Sequence, residues 1–262
     1  MNPLQGMAQI AHVLAMGFAL LYGGFRERAL WVLTVLSAAA ALLLQTVVLG
    51  RAWLATGIPP AVNLPEILRM AAWALLFLYF LLYPILRSRI LAFFLMPLSA
   101  LCALLGGVLP SPAAEPKPFY GTAWFAVHIL LFVFGIAFFF LSFLYATIFI
   151  MQDHSLRHRR APSPLPLPSL EEADRWSSRL LLVGYPLFTL GILSSALYGA
   201  LHRAGPAYRP GLLEAASLVA WVVLGLAIYG WITARFHPRR RSYLVVAGAA
   251  FTVLTLLGIV WH

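Results

Sequence analysis

The residues of this sequence best suited to chemistry are histidines in apolar surroundings. His128 stands in the run Trp124-Phe-Ala-Val-His-Ile-Leu-Leu-Phe132, where every neighbour is apolar, and His12 stands in a similar run near the start of the chain. A neutral imidazole has one donor and one acceptor to satisfy, and its ring nitrogens are common metal ligands. The sequence therefore predicts a partner for His128 and for His12, either a metal or a polar group of a neighbouring element.

The composition indicates what surrounds these residues. Hydrophobic residues make up 62% of the 262 positions and charged residues only 10%, a balance typical of a chain whose outer surface faces lipid. A helix needs roughly 20 apolar residues to cross about 30 Å of hydrocarbon. We therefore predict an all-α integral membrane protein, folded as a single transmembrane helical domain over residues 1–262. Its eight spans are expected at about 4–23, 30–49, 64–86, 90–109, 121–151, 177–201, 212–235 and 243–261.

The basic residues predict the orientation of the spans. Most of the 18 basic residues fall in alternate connections, within 26–28, 87–89, 157–179 and 235–241. Because cytoplasmic loops are enriched in Lys and Arg, we expect these connections inside and both termini on the outer (periplasmic or extracytoplasmic) side. This pattern indicates a multi-pass protein of the bacterial cytoplasmic (inner) membrane. The net charge of +10 is then explained by topology and by attraction to anionic lipid heads, so the bilayer is the expected partner and nucleic acid is not.

The connections are too short to hold an extramembrane domain. The longest inner one, 152–176, contains the proline-rich segment Ala161-Pro-Ser-Pro-Leu-Pro-Leu-Pro168, which predicts a stiff spacer. Ser169 and Glu172 have the spacing of a capping box, so the sixth helix is expected to begin at Leu170. No nucleotide-binding loop is found, which argues against a primary pump.

The histidines divide between the two sides of this topology. Three of them, His154, His158 and His237, lie in inner basic segments and are expected to be solvated. The other four are predicted in the outer half of the protein: His12, His128, His202 and His262. From a rise of about 1.5 Å per residue, His12 and His128 are both expected about 10 to 12 Å beneath the outer ends of their helices.

A flat, soft ligand would suit histidines at this depth. Haem iron takes imidazole nitrogens as axial ligands, and its apolar macrocycle would pack against Trp124, Phe125 and Phe132 near His128. At the outer surface, His202 and Arg203 are candidates to meet the haem propionates. The alternative is that the histidines bridge helices by hydrogen bonds, and that His202 and Arg203 are interfacial anchors.

Several segments of the second half of the chain resemble the cytochrome c assembly protein family. They are Trp124-Phe-Ala-Val-His128, Phe149-Ile-Met-Gln-Asp-His-Ser-Leu156, Leu167-Pro-Ser-Leu-Glu171 and Gly184-Tyr-Pro-Leu-Phe-Thr-Leu-Gly191. Asn63-Leu-Pro-Glu66, followed by Trp73, is similar to the entrance of the family's third helix. Length and span number are closest to the smaller members of the HemX and YpjD type.

The resemblance implies a role for particular histidines. His128 stands where the family has its first external haem histidine, and His262 near where the second follows the last helix. Two features of the larger members of the family are missing. Those members have a tryptophan-rich haem-binding segment between the sixth and seventh helices, but 198–211 contains no tryptophan here. They also have an inner-haem histidine in the seventh helix, and 227–235 contains no histidine. The resemblance therefore implies haem handling or cytochrome c assembly by coordination, more than an enzyme that makes bonds.

Two functions from different classes remain at this point. The first is a haem b-binding protein of cytochrome c assembly, with His128 and either His262 or His12 as iron ligands. The second is a haem-free HemX-like or YpjD-like accessory subunit, in which His128 bonds across helices and the partners are other membrane proteins of cytochrome assembly or haem metabolism. A transporter of a small hydrophobic molecule is less favoured, because the acidic residues lie at or near helix ends.

Overall fold

The computed structural model describes residues 3–86, 89–110, 118–158, 167–202 and 212–258, with the backbone alone given at a few of these positions. Within these ranges the chain forms eight α-helices and one short 3-10 helix, Pro118–Gly121. The α-helices are α1 Pro3–Phe25, α2 Arg28–Thr56, α3 Leu64–Leu86, α4 Ile90–Val108, α5 Ala123–Arg157, α6 Leu170–His202, α7 Leu212–Ile232 and α8 Pro238–Gly258.

Seven of these helices, α1 to α7, are long and apolar enough within the described residues to cross a membrane. The helix α8 is outside this group, since it begins with Pro238 and three arginines and the described chain ends at Gly258. The protein is therefore an all-helical, multi-pass membrane protein. The last predicted span, 243–261, extends beyond the described residues.

Several helices are longer than the apolar runs that predicted them, and α2 continues from the expected end near 49 to Thr56. The helix α5 continues from the expected end near 151 to Arg157, and α6 begins at Leu170, well before the span start expected near 177. Charged residues spaced by four support these extra turns, because Arg157 donates to Asp153 at 2.9 Å and Arg175 pairs with Glu171. Hydropathy thus marks the apolar part of a helix, and the helix itself runs on into the charged region.

The start of α6 confirms the predicted capping box. The Glu172 amide donates to the Ser169 hydroxyl at 3.2 Å, and the Glu172 carboxylate accepts from the Ser169 amide at 3.0 Å. The start of α3 uses a related arrangement, in which the Asn63 side chain accepts from the Glu66 amide at 3.1 Å and the Glu66 carboxylate accepts from the Val62 amide at 3.0 Å. The Asn63-Leu-Pro-Glu66 segment is therefore a helix cap.

The chain divides into two compact units, residues 1–126 and 127–262. In the first unit, α1 packs against α2 and α4, and α3 packs against α4 and α2. The buried positions of α1 and α2 recur every three or four residues and are mostly alanines, which let helices approach closely. The expectation of one domain over residues 1–262 remains a prediction.

The second unit is built from most of α5 together with α6, α7 and α8. Its buried core is drawn from all four helices: Ile136, Phe139 and Ala146 of α5, Leu181 and Phe188 of α6, Leu224 and Ala227 of α7, and Val245 of α8. The serines of α5 and α6 exchange hydrogen bonds, since Ser142 donates to the Ser177 carbonyl at 2.8 Å and Ser177 donates to the Ser142 carbonyl at 3.0 Å. This unit positions His128.

Candidate functional site

His128 lies near the start of α5, and one ring nitrogen is bonded to α6. Its Nδ1 atom is 3.0 Å from the Gly191 carbonyl oxygen and 2.9 Å from the Ser194 hydroxyl. A carbonyl can only accept, so Nδ1 must carry the proton of the neutral ring. The Ser194 hydroxyl donates its own proton to the Gly191 carbonyl at 2.7 Å, which leaves its lone pairs to accept from Nδ1. The three groups therefore fix one tautomer, with a lone pair on Nε2.

The close approach of α5 and α6 depends on glycines. A Cβ atom at Gly191 would lie 2.5 Å from the Phe132 ring, one at Gly184 would lie 2.7 Å from the Phe138 Cβ atom, and one at Gly135 would lie 2.9 Å from the backbone of Phe188. Because these glycines have no side chain, the backbone of each helix comes into direct contact with residues of the other helix. This packing brings the Gly191 carbonyl within reach of His128.

Aromatic rings lie along the same side of α5 as His128. The Phe132 ring, one turn deeper, is centred 5.0 Å from the imidazole, and it also packs on Phe188 at 4.9 Å. Trp124 comes one turn before His128 on the same helix and is 38% exposed. Phe125 differs from the prediction: it is buried and packs against Tyr120. The face of α5 that carries Trp124, His128 and Phe132 is thus half-buried and aromatic.

This arrangement fits a haem ligand in its donor chemistry. Histidines that bind metals almost always donate the second ring N–H to a carbonyl, carboxylate or water, which fixes the tautomer and the ring direction. His128 has this arrangement through Gly191 and Ser194. His128 itself is half-buried, so the ring is neither fully solvated nor fully enclosed by the second unit.

His12 has a different environment, in the first unit. Its Nδ1 atom donates to the Ala8 carbonyl at 2.8 Å, which again leaves the lone pair on Nε2. The side chain is only 1% exposed, and Nε2 has no hydrogen-bond partner among the described residues. On α2, Gln45 is equally buried and the nitrogen of its side-chain amide has no partner there either. An enclosed Nε2 can meet a large flat ligand only if the surrounding helices separate.

The remaining predicted site residues lie at or beyond the edge of what the structure describes. His202 is the last residue of α6, and both Arg203 and His262 fall outside the described residues. Among the described residues there is no group of three or more His, Cys, Asp or Glu side chains that could hold a metal ion.

Gly191 and Ser194 are functional candidates that the sequence analysis did not identify. Gly191 ends the segment Gly184-Tyr-Pro-Leu-Phe-Thr-Leu-Gly191 that carries the family resemblance, but no role was assigned from the sequence to it or to Ser194, although their spacing of three places them on one helix face. To select these partners of His128 from the sequence, one would need the register of α5 against α6. That register is set by the glycine contacts.

The fold and this site define a multi-pass helical membrane protein with a tautomer-fixed histidine near the end of one span. Residues 61–262 match the family described as "Cytochrome C assembly protein". This match covers more than half of the chain, and the protein belongs to the cytochrome c assembly protein family, which confirms the resemblance seen in the sequence. Membership supports a role in cytochrome c assembly.

Individual relatives are similar at low identity over most of their length. A cytochrome c biogenesis protein CcsA from Prochlorococcus marinus (strain MIT 9303) is 26% identical over 286 residues, covering 98% of this chain and 88% of the relative. CcsA from Guillardia theta is 24% identical over 234 residues, with 82% and 77% covered. Protein HemX from Brevibacillus brevis is 25% identical over 185 residues, with 70% and 66% covered.

Proposed function

We propose that this protein binds haem b through the Nε2 atom of His128 and acts in haem handling during cytochrome c assembly. The observation that carries the proposal is the hydrogen bonding of Nδ1 to Gly191 and Ser194, which leaves Nε2 with its lone pair. When bound, haem would supply an iron atom that accepts an imidazole nitrogen as axial ligand. The protein's own part is to hold and orient the ring, with no bond-making step.

The surroundings of His128 support a flat apolar ligand. Phe132 packs beside the imidazole and Trp124 is partly exposed one turn earlier, so an apolar macrocycle would find ring surfaces on both sides of the ligating residue. His202 and Arg203 are proposed to meet the propionates at the membrane surface by charge-assisted hydrogen bonds.

The second axial ligand is proposed from His262 and His12. His262 is favoured, because His12 is fully buried among the alanines of α1 and α2. Using His12 would require α1 to move away from its neighbours, which costs the contacts of a closely packed surface.

We further propose that the protein resides in a bacterial cytoplasmic membrane with both termini outside. The support is the basic end of the second unit, where Arg239 of α8 lies 3.7 Å from Asp153 of α5 and Arg241 of α8 donates to Asp174 of α6 at 2.7 Å. Arginines gathered at one end of a helix bundle indicate the cytoplasmic side. A single cysteine placed at Ser155 in a Cys102→Ser background should react with a membrane-impermeant maleimide only after cells are opened. Labelling in intact cells would show that the orientation is the opposite of the one proposed.

A second function is supported by a separate observation. The hydrogen bond between His128 and Gly191 links α5 to α6 without any ligand, so His128 would have a structural role even in a protein that binds no iron. In that case the protein would be a haem-free accessory subunit of another membrane complex, and one of its relatives carries the name HemX.

Haem content separates the two functions. The protein is purified in detergent from haem-replete cells, and haem b per polypeptide is measured by the pyridine haemochrome assay. Near-stoichiometric haem in the wild type supports the first function. Loss of that haem in His128→Ala, but not in the matched inner-side variant His154→Ala, supports ligation by His128. Haem-free wild-type protein supports the accessory role.

A further inference from the structure

The connection between α7 and α8 has a fixed conformation. It contains Ala234 with a φ of 52°, in the left-handed region, and the Phe236 amide donates to the Gly230 carbonyl at 3.3 Å. The Phe236 ring occupies the space of a side chain at Gly230, so only glycine there lets the connection fold back over α7. Arg235 and His237, on either side of Phe236, are therefore held in defined positions.

Basic residues of this connection and of the start of α8 form a cluster, called here the basic cluster. The cluster consists of Arg235, His237, Arg239 and Arg240, all of them exposed. Two carboxylates approach this end of the second unit: Asp153 is shared between Arg157 at 2.9 Å and Arg239 at 3.7 Å, and Asp174 pairs with Arg241 at 2.7 Å. In the described part of the chain, Arg235 and Arg240 have no carboxylate within ion-pair distance. Among the described residues, the cluster thus carries positive charge that no carboxylate neutralises.

Two exposed tyrosines accompany the cluster. The Arg235 guanidinium donates to the Tyr229 hydroxyl at 3.1 Å, and the Arg239 guanidinium is 5.7 Å from the centre of the Tyr243 ring. Tyr229 is 45% exposed and Tyr243 is 48% exposed. Tyrosines with an apolar body and a polar tip are characteristic of the membrane interface. Arginines beside such tyrosines are typical of the level of the lipid headgroups.

An apolar row continues from the cluster along α7. Val222, Leu226 and Tyr229 are exposed and follow one another at intervals of four and three residues, so they share one face of the helix. The polar end of this row is Tyr229 with its bonded Arg235. This face of α7 thus has a positively charged group at one end and an apolar surface along the rest.

We propose that the α7–α8 connection is a binding site for one anionic phospholipid. The arginines of the basic cluster bind the phosphate, the two tyrosines contact the glycerol region, and an acyl chain lies along Val222 and Leu226. Arginine suits the phosphate because its planar donors bind two oxygens at once. A phospholipid is favoured over free phosphate because the apolar row adds contacts that only a lipid can make.

The test compares lipids and matched arginine variants. Purified protein in detergent is titrated with phosphatidylglycerol or with phosphatidylcholine of the same acyl chains, and thermal unfolding is recorded. Phosphatidylglycerol should raise the melting temperature at lower concentrations than phosphatidylcholine. The triple variant R235Q/R239Q/R240Q should lose at least about tenfold in apparent affinity for phosphatidylglycerol. The control triple R26Q/R28Q/R51Q, which removes three exposed arginines from the first unit, should retain the wild-type affinity.

Three results would overturn the proposal. The two triple variants could lose the same affinity for phosphatidylglycerol, or the two lipids could raise the melting temperature equally. The third such result is that glycerol phosphate, which has no acyl chains, raises the melting temperature as much as phosphatidylglycerol does. If the first triple variant does not fold, Arg240→Gln is used instead, because Arg240 is exposed and has no carboxylate partner among the described residues. That single change should weaken phosphatidylglycerol binding by about fivefold. An unchanged affinity in this variant would also overturn the proposal.

Discussion

The Nδ1 atom of His128 lies 3.0 Å from the carbonyl oxygen of Gly191, across the contact between α5 and α6. This bond does two things at once. It joins two helices inside the second unit, and it sets the tautomer that leaves Nε2 able to coordinate a metal. A variant that weakens it should therefore affect both stability and ligand binding.

Gly191→Ala tests the close packing behind this bond. The new Cβ atom would lie 2.5 Å from the Phe132 ring, so either the ring or α6 must shift, at a cost of about 1–3 kcal/mol. We expect a lower melting temperature in detergent and weaker haem retention.

Gly17→Ala is the matched control for this change. It lies within α1 and its new Cβ atom would meet nothing within 4 Å. In a helix interior this change is expected to be neutral or to stabilise by up to about 1 kcal/mol. Equal melting temperatures for Gly191→Ala and Gly17→Ala would contradict the packing account.

Ser194→Ala tests the second acceptor of His128. The ring keeps the Gly191 carbonyl but loses the hydroxyl at 2.9 Å, and loss of a partner of this kind typically weakens metal binding by about tenfold or more. Haem dissociation should be faster, as followed by transfer to apomyoglobin. Ser37→Ala serves as control, because Ser37 donates to Leu33 within its own helix, and a similar rate for both variants would count against the role of Ser194.

The ion pair between Asp174 and Arg241 is expected to be the most costly one to break. Their side chains are 20% and 12% exposed and the charged atoms are 2.7 Å apart, so Asp174→Asn leaves a largely buried arginine without its carboxylate. We expect a loss of about 3 kcal/mol in stability. Glu171→Gln, in a pair where Glu171 is 82% exposed, should cost less than about 1 kcal/mol. Thermal unfolding of both variants checks the difference, and similar losses would show that burial of the pair is unimportant.

The choice between His262 and His12 as second axial ligand can be tested by substitution. His12→Leu should leave the α-band of the reduced protein unchanged, because Nε2 of His12 is enclosed. His262→Leu should shift or broaden that band, since one axial ligand is lost. The opposite pattern would show that His12, and not His262, is the second axial ligand.

Much of the fold could be predicted from hydropathy and capping. The span of α3 was predicted at its observed bounds, and Ser169 with Glu172 gave the start of α6, because these features depend on residues close together in sequence. Hydropathy alone ended α5 near 151 instead of at Arg157 and placed the apolar part of α6 only from about 177. In these turns the helix is stabilised by pairs of charged residues such as Asp153 with Arg157. A hydropathy criterion excludes such residues from a membrane span, so it ends the predicted segment too early.

The candidate site was predictable only in part. His128 could be selected from the sequence because a histidine in an apolar run needs a partner. Its partners on α6 could not be selected, because Gly191 and Ser194 lie 63 and 66 residues further along the chain. Their approach depends on which face of α6 meets α5, and that is decided by small residues such as Gly135 and Gly184.

The central claim, that iron is held by Nε2 of His128, is tested most directly by ligand replacement. His128→Gly is purified with and without imidazole in the buffer, and the reduced spectrum is compared with that of the wild type. We predict that the variant lacks the sharp α-band and that added imidazole restores it, because free imidazole can take the vacated position. Wild-type protein without any haem spectrum, or a His128→Gly variant whose spectrum matches the wild type before imidazole is added, would contradict the account.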